Sequence, residues 1–146
     1  MRTFRLLAST AAGAALVALL STPAGAARPV PSGSFVGDWL SYNPDAATCS
    51  IAIEYAWQDA NGIDRATVQF QMKTPTATEW TDVGALSSYD PRMRVPRTYS
   101  YTAGLSVAVT GVQHVFRAVG QAVNHRDLVI AGTQAISTTS PSWNCG

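Results

Sequence analysis

Large apolar residues recur at every second position along most of the chain, and almost nowhere with the 3.6-residue period of a helix. The clearest run is Ile51, Ile53, Tyr55 and Trp57, alternating with Ala52, Glu54, Ala56 and Gln58, which places the large groups on one face of a strand. Val68, Phe70 and Met72 alternate in the same way with Thr67, Gln69, Gln71 and Lys73. Between these runs stands Asn61-Gly62, a dipeptide that tolerates the positive φ of hairpin turns, so the pattern predicts a hairpin whose arms share one core face. An earlier strand is predicted over Phe35 to Tyr42, closed by the turn signal Asn43-Pro44-Asp45. After a turn at Thr74 to Thr78, Glu79 to Val83 predicts a short strand holding Trp80. Gly84 to Arg97, with Pro91 and Pro96, is expected to be the longest irregular segment. Tyr99 and Tyr101, then Leu105, Val107 and Val109, again alternate with small and polar residues, and Gly104 permits a bend between the two runs. Val112 to Val119 predicts a strand with an ambiguous inner face, and Leu128 to Ser137 the last strand. About seven short strands punctuated by turn signals predict an all-β, antiparallel sandwich or barrel without internal repeats.

The N-terminus departs from this pattern. Arg2 and Arg5 precede an Ala- and Leu-rich run, Leu6 to Leu20, followed by the small-x-small site Ala24-Gly25-Ala26. That is the layout of a secretory signal peptide. An uncleaved anchor is the competing reading, but the run falls short of the roughly 20 apolar residues of a spanning helix, and Pro23 and Gly25 break it. Cleavage is expected after Ala26, with Ala27 as the fallback. The expected organisation is then a signal peptide at 1–26, an extended Pro-, Gly- and Ser-rich leader at 27–34, and one domain at 35–146.

Removing 26 of the 146 residues leaves 120, enough for one sizeable core. Only 13% of residues are charged and 47% are hydrophobic, which argues against a disordered polymer. Without Arg2 and Arg5, the ten basic residues fall to eight against nine acidic ones. Such a balance offers no attraction for nucleic acid, nor for a membrane surface once the leader is gone. Nine arginines against one lysine, with an Ala-rich leader, suggest a high-GC bacterial source.

Two cysteines remain, Cys49 and Cys145. In an exported chain such a pair, without further Cys or adjacent His to fill a zinc shell, reads as one disulfide, with free thiols or an intermolecular bridge as the rival.

The order Ile51 to Trp57, Ala66 to Met72 with Trp80, then Leu105 to Gly111 and His114-Val115-Phe116-Arg117-Ala118-Val119 resembles a fibronectin type III or related immunoglobulin-like domain. In such domains a Trp ends the second strand, an aromatic lies on the third, and a Tyr-x-Phe-Arg-Val-like run forms the sixth. The resemblance covers about 90 residues, Cys49 to Thr138. It departs at His114, where the family usually has its corner Tyr, and in a bridge to the C-terminal tail. It implies a binding or spacer module, since this architecture hosts many unrelated functions.

Catalytic patterns fare poorly. Gly104-Leu105-Ser106-Val107-Ala108 is one residue from a nucleophile elbow, but Ser106 is expected mid-strand rather than at a strand-to-helix turn. His114, His125 and Asp127 lack a linked nucleophile, and two histidines cannot fill a zinc shell. Asp59-Ala60-Asn61-Gly62-Ile63-Asp64 has Ile63 where a calcium loop needs oxygen, and Phe70 where it needs Glu. Glu79 with Asp82, or Asp59 with Asp64, has no spacing that defines a glycosidase cleft. No enzyme, metal or cofactor is therefore expected.

Aromatic and Arg residues carry the remaining signal. Of the four Trp and five Tyr, Trp57 reads as core, because it shares a face with Ile51, Ile53 and Tyr55, whereas Trp80, Tyr89, Tyr99 and Trp143 are undecided between core and platform. Arg92, Arg94 and Arg97 lie in a Pro-bounded segment able to grip an acidic group. The expectation is a secreted, non-enzymatic module that binds an extracellular protein through Trp80, Tyr89, Arg92, Arg94, Arg97 and Tyr99. A polysaccharide- or cell-wall-binding module and an inhibitor of a secreted hydrolase are the alternatives, and the pattern carries no oligomeric state.

Overall fold

A computed structural model describes residues 30–42, 47–58, 65–90 and 98–146. Seven strands and no helix occur among them: β1 (Ser32–Tyr42), β2 (Thr48–Gln58), β3 (Arg65–Lys73), β4 (Thr81–Tyr89), β5 (Thr98–Val123), β6 (Ala135–Ile136) and β7 (Trp143–Cys145). All pairings are antiparallel, in the order β1-β2-β5-β3-β4, with β6 and β7 also on β5. The expected signal peptide at 1–26 and the first three residues of the expected leader, 27–29, lie outside the described residues, while Ser32 to Ser34, assigned above to the leader, already pair with β2.

The alternation of β2 is borne out: Cys49, Ile51, Ile53, Tyr55 and Trp57 are all buried. Its partner is not the one expected. β2 and β3 do not form a hairpin, because the 26-residue β5 lies between them, pairing with β2 from Thr98 to Ala108 and with β3 from Val115 to Val123. Asn-Gly chemistry reports that the chain can turn and is silent about which edge the next strand joins.

The two halves of β5 bury opposite parities. Tyr99, Tyr101, Ala103, Leu105, Val107 and Val109 pack inward in the first half, Phe116, Ala118 and Ala122 in the second. Thr110 to Gln113 separate them, and Gly111, Val112 and Gln113 are exposed there. A strand alternates strictly, so the inner face can switch only where some residues leave both ladders. This is why Val112 to Val119 has no single inner face, and why Gly104 marks no bend: the transition lies further on.

The parity switch lets the buried face of β2 meet that of β3 and the second half of β5. Ile53, Tyr55 and Trp57 share one cluster with Ala66, Val68, Phe70, Ala118 and Ala122. Large rings on β2 face the smallest residues of β5. A Cβ on Gly120 would come within 2.4 Å of the Tyr55 ring. A second cluster holds Ile51, Phe116 and the Cys49–Cys145 disulfide, whose Cα atoms are 6.0 Å apart, and both cysteines are buried. The expected bridge thus ties β2 to the tail through β7, a strand too short to show in the pattern.

Leu128 to Ser137 contributes only the two-residue β6, yet the tail does run beside β5. The hydroxyls of Thr133, Ser137 and Ser140 accept from the backbone N–H groups of Ala122, Ala118 and Phe116. The carbonyls of Ala122, Ala118 and Phe116 accept from the backbone N–H groups of Ile130, Ser137 and Ser140, so side chains share the pairing with the backbone. Conversely, Gly84 to Tyr89, expected to be irregular, belongs to β4, with a bulge between Val83 and Ser87 and Gly84 at φ +70°.

Candidate binding site

The register of the strands gathers aromatic rings at one end of the molecule. Trp57 pairs with Tyr99 across β2 and β5, and Ala66 at the start of β3 pairs with Tyr89 at the end of β4. Tyr99 stacks on Trp57 with ring centroids 5.5 Å apart, and Tyr89 meets the same indole edge-on at 6.0 Å. Tyr89 also stacks on Tyr101 at 5.2 Å, nearly parallel, and the Tyr101 hydroxyl is hydrogen-bonded to that of Ser87. Inward, Trp57 stacks on Tyr55, which meets Phe35. The series runs from Trp57, 1% exposed, to Tyr89, 38% exposed. Such offset and edge contacts hold a ring in place beyond what its buried area supplies.

Connections cluster at the same end. The described chain stops at Asp90 and resumes at Thr98, both beside these rings in sequence. The segment 59–64 joins Gln58 to Arg65, and Arg65 pairs with Val123 where β5 ends. The turn beyond is closed by Asn124, whose side-chain oxygen accepts from the N–H groups of Arg126 and Leu128, and by an ion pair of Asp127 with Arg65. Arg92, Arg94 and Arg97 lie outside the described residues, as do Asp59, Asp64 and Asn61-Gly62.

Trp80 is elsewhere. It precedes β4, so the length of that strand, about 25 Å, separates it from Tyr89. The Arg117 guanidinium carbon lies 4.5 Å and the Lys73 ammonium 5.1 Å from its ring centroid. Of the expected residues within the described chain, the fold therefore unites Tyr89 with Tyr99 and sets Trp80 apart. Trp143 packs on Phe116 and Trp39 in the wall of the disulfide cluster. Sequence reasoning missed Tyr101, which shares the parity of Tyr99, and Lys73 and Arg117, whose common ring no spacing announces.

The catalytic patterns are dispersed. Ser106 stands mid-strand and exposed. His114 lies where β5 switches faces and His125 beyond its far end, while Asp127 is engaged by Arg65. Asp82 accepts a hydrogen bond from Gln71, and Glu79 is exposed. Among the described residues no three His, Cys, Asp or Glu side chains are grouped as metal ligands. Buried Tyr55 donates its hydroxyl to the Thr133 carbonyl, and desolvation pushes its pKa from 10 up to about 12. It is a structural group.

No protein-family model matches this sequence, and no curated protein matches it.

Proposed function

We propose that this protein is an exported, non-enzymatic binding module that grips an extracellular protein through the end carrying Tyr89, Tyr99 and the Arg92, Arg94 and Arg97 segment. The observation that carries this reading is the anchored Tyr89: over a third exposed, fixed on Tyr101 and Trp57, and adjacent to the Arg-bearing connection. Rigid aromatics lose little entropy on binding, and Arg supplies forked donors, which is why both are enriched where interfaces draw their energy. Inhibition of a secreted hydrolase would use the same surface. The signal-peptide-like leader supports export, and a disulfide is compatible with it.

The same proposal takes the fold as fibronectin III-like. In its support, β1, β2 and the first half of β5 form one run of paired strands, and β4, β3, the second half of β5 and β6 form another. Trp57 stands near the end of β2 and Phe70 on β3, as the resemblance requires.

The test is affinity capture on the immobilised mature protein from culture supernatant and cell-wall extract, read by mass spectrometry. Tyr89→Ala, and separately alanine at Arg92, Arg94 and Arg97 together, should each lower recovery of the wild-type partner at least tenfold, while Trp80→Ala retains it. Equal recovery by all variants overturns the assignment of this end.

A further inference from the structure

On the other side of the molecule a row of polar groups crosses three strands. Arg117 on β5, Gln71 on β3 and Asp82 on β4 are direct cross-strand neighbours. The Arg117 Nε–H donates to Gln71 Oε1 at 2.7 Å, and the Gln71 amide donates to Asp82 Oδ1 at 2.8 Å. Gln71 thus stands between cation and carboxylate, so their charges are linked but not joined. Lys73, on the same face of β3 two residues on, donates to the Ala77 carbonyl at 2.7 Å. Neither Arg117 nor Lys73 has a carboxylate within ion-pair distance among the described residues, and each uses only one of its several donors.

Trp80 lies against both cations. Arg117 and Lys73 rise from one face of the sheet, so the indole rests across them, and it is half-buried. Beside it opens a cleft of about 240 Å³ bounded in part by Lys73, Glu79 and His114. His114 Nδ1 is buried with no hydrogen-bond partner among the described residues.

We propose that Trp80, with the Arg117–Gln71–Asp82 row and Lys73, forms a second binding site, for a pyranose unit of a polysaccharide. The C–H face of a sugar ring is apolar and suits the indole. Its hydroxyl edge both donates and accepts, which matches a row supplying guanidinium, amide and carboxylate in succession. A site for a simple anion would not hold Asp82 and Glu79 so close. Two cations stacked on Trp80 also fix the ring in advance of binding, the preorganisation that a weak, repeated ligand demands. This site is independent of the Tyr89 end and stands whether or not that end binds protein.

The experiment is affinity gel electrophoresis of the mature protein through gels containing hydroxyethylcellulose, glucomannan, xylan, polygalacturonate or alginate, or none. At least one polysaccharide should retard the wild type. In that gel Trp80→Ala should weaken binding at least tenfold, Trp80→Phe should recover part of it, and Arg117→Met, which keeps an aliphatic stem but neither the guanidinium over the ring nor its donors, should weaken it several-fold. Circular dichroism of each variant checks folding, and Tyr89→Ala should migrate as wild type. Retardation confined to polygalacturonate or alginate and lost in salt identifies an acidic sugar; salt-insensitive retardation by the others identifies a neutral one. No retardation by any of the five, or equal retardation of folded Trp80→Ala and wild type, overturns the proposal.

Discussion

At the scale of single residues, the interior is decided by one exchange of size: Tyr55 on β2 occupies the volume that Gly120 on β5 leaves open. The added methyl of Gly120→Ala would stand 2.4 Å from a ring carbon of a fully buried side chain, so either the ring or the strand must shift. Overpacking of that kind costs about 3 kcal/mol, and thermal denaturation should show a fall in Tm well beyond 5 °C; an unchanged Tm would mean the ring has room to move. The Tyr55 hydroxyl makes a second, chemical prediction. Burial raises its pKa from 10 to about 12, so the folded state keeps a proton that the unfolded chain releases first. The stability this confers is complete below pH 10 and is lost as pH rises from 10 to about 12. Tyr55→Phe should be less stable near neutrality by about 1–3 kcal/mol, because the buried Thr133 carbonyl loses its donor. Urea denaturation at rising pH should then show the gap between wild type and variant narrowing across that alkaline interval, and a constant gap would contradict the burial argument.

At the scale of elements, the molecule turns on β5, which holds β2 along one half and β3 along the other and changes its inner face between Val109 and His114. If cross-strand pairing on both sides of the switch holds that crossing, glycine freedom at Gly111 is not required there. Gly111 has no positive φ and open space at its Cβ position, so Gly111→Ala should leave Tm unchanged or raise it slightly, by up to about 1 kcal/mol of stability; a loss larger than that would make the crossing a glycine hinge. What was legible in the chain follows the same division. The faces of β2 and β3 could be read because one face of each is apolar for four or five consecutive alternations, a strictly local signal. The partner of β2 could not, since pairing depends on a residue some fifty positions away and a turn dipeptide is equally at home before a neighbour or a distant strand. The tail could not either: three hydroxyls that share the pairing with backbone groups look, in sequence, like an ordinary alternating strand. Likewise Tyr89 and Tyr99 could be suspected from composition, but only the register shows that Trp57 joins them and that Trp80 belongs to another face.

At the scale of the whole molecule, the Cys49–Cys145 bridge closes a loop with a sequence separation of 96, taking in nearly all of β2 through β7. Chain-entropy arguments give a closed loop of that length about 4.7 kcal/mol, a figure that native strain and residual order in the unfolded chain reduce. Set against the 5–15 kcal/mol typical of a domain, the bridge is a large part of what keeps the fold populated. Its position sharpens the expectation. Both sulfurs sit in a cluster with Ile51 and Phe116, and β7 meets β5 through pairings at Val109 and His114 with one more backbone bond from the Gly146 N–H to the Ala108 carbonyl, so without the bridge few bonds hold the last residues. Replacing both cysteines by alanine should therefore lower the chemical denaturation midpoint by an amount equivalent to about 3 kcal/mol. Hydrogen exchange should accelerate first in β7 and at the Ser140 backbone N–H bonded to Phe116, while β2, β3 and the second half of β5 stay protected. The Tyr89 end should keep its ring stacking, since β2, β4 and β5 position it without help from the tail. A double variant as stable as the wild type would show that packing of Phe116 and Trp143 alone secures the tail, and that the cross-link adds nothing the core does not already provide.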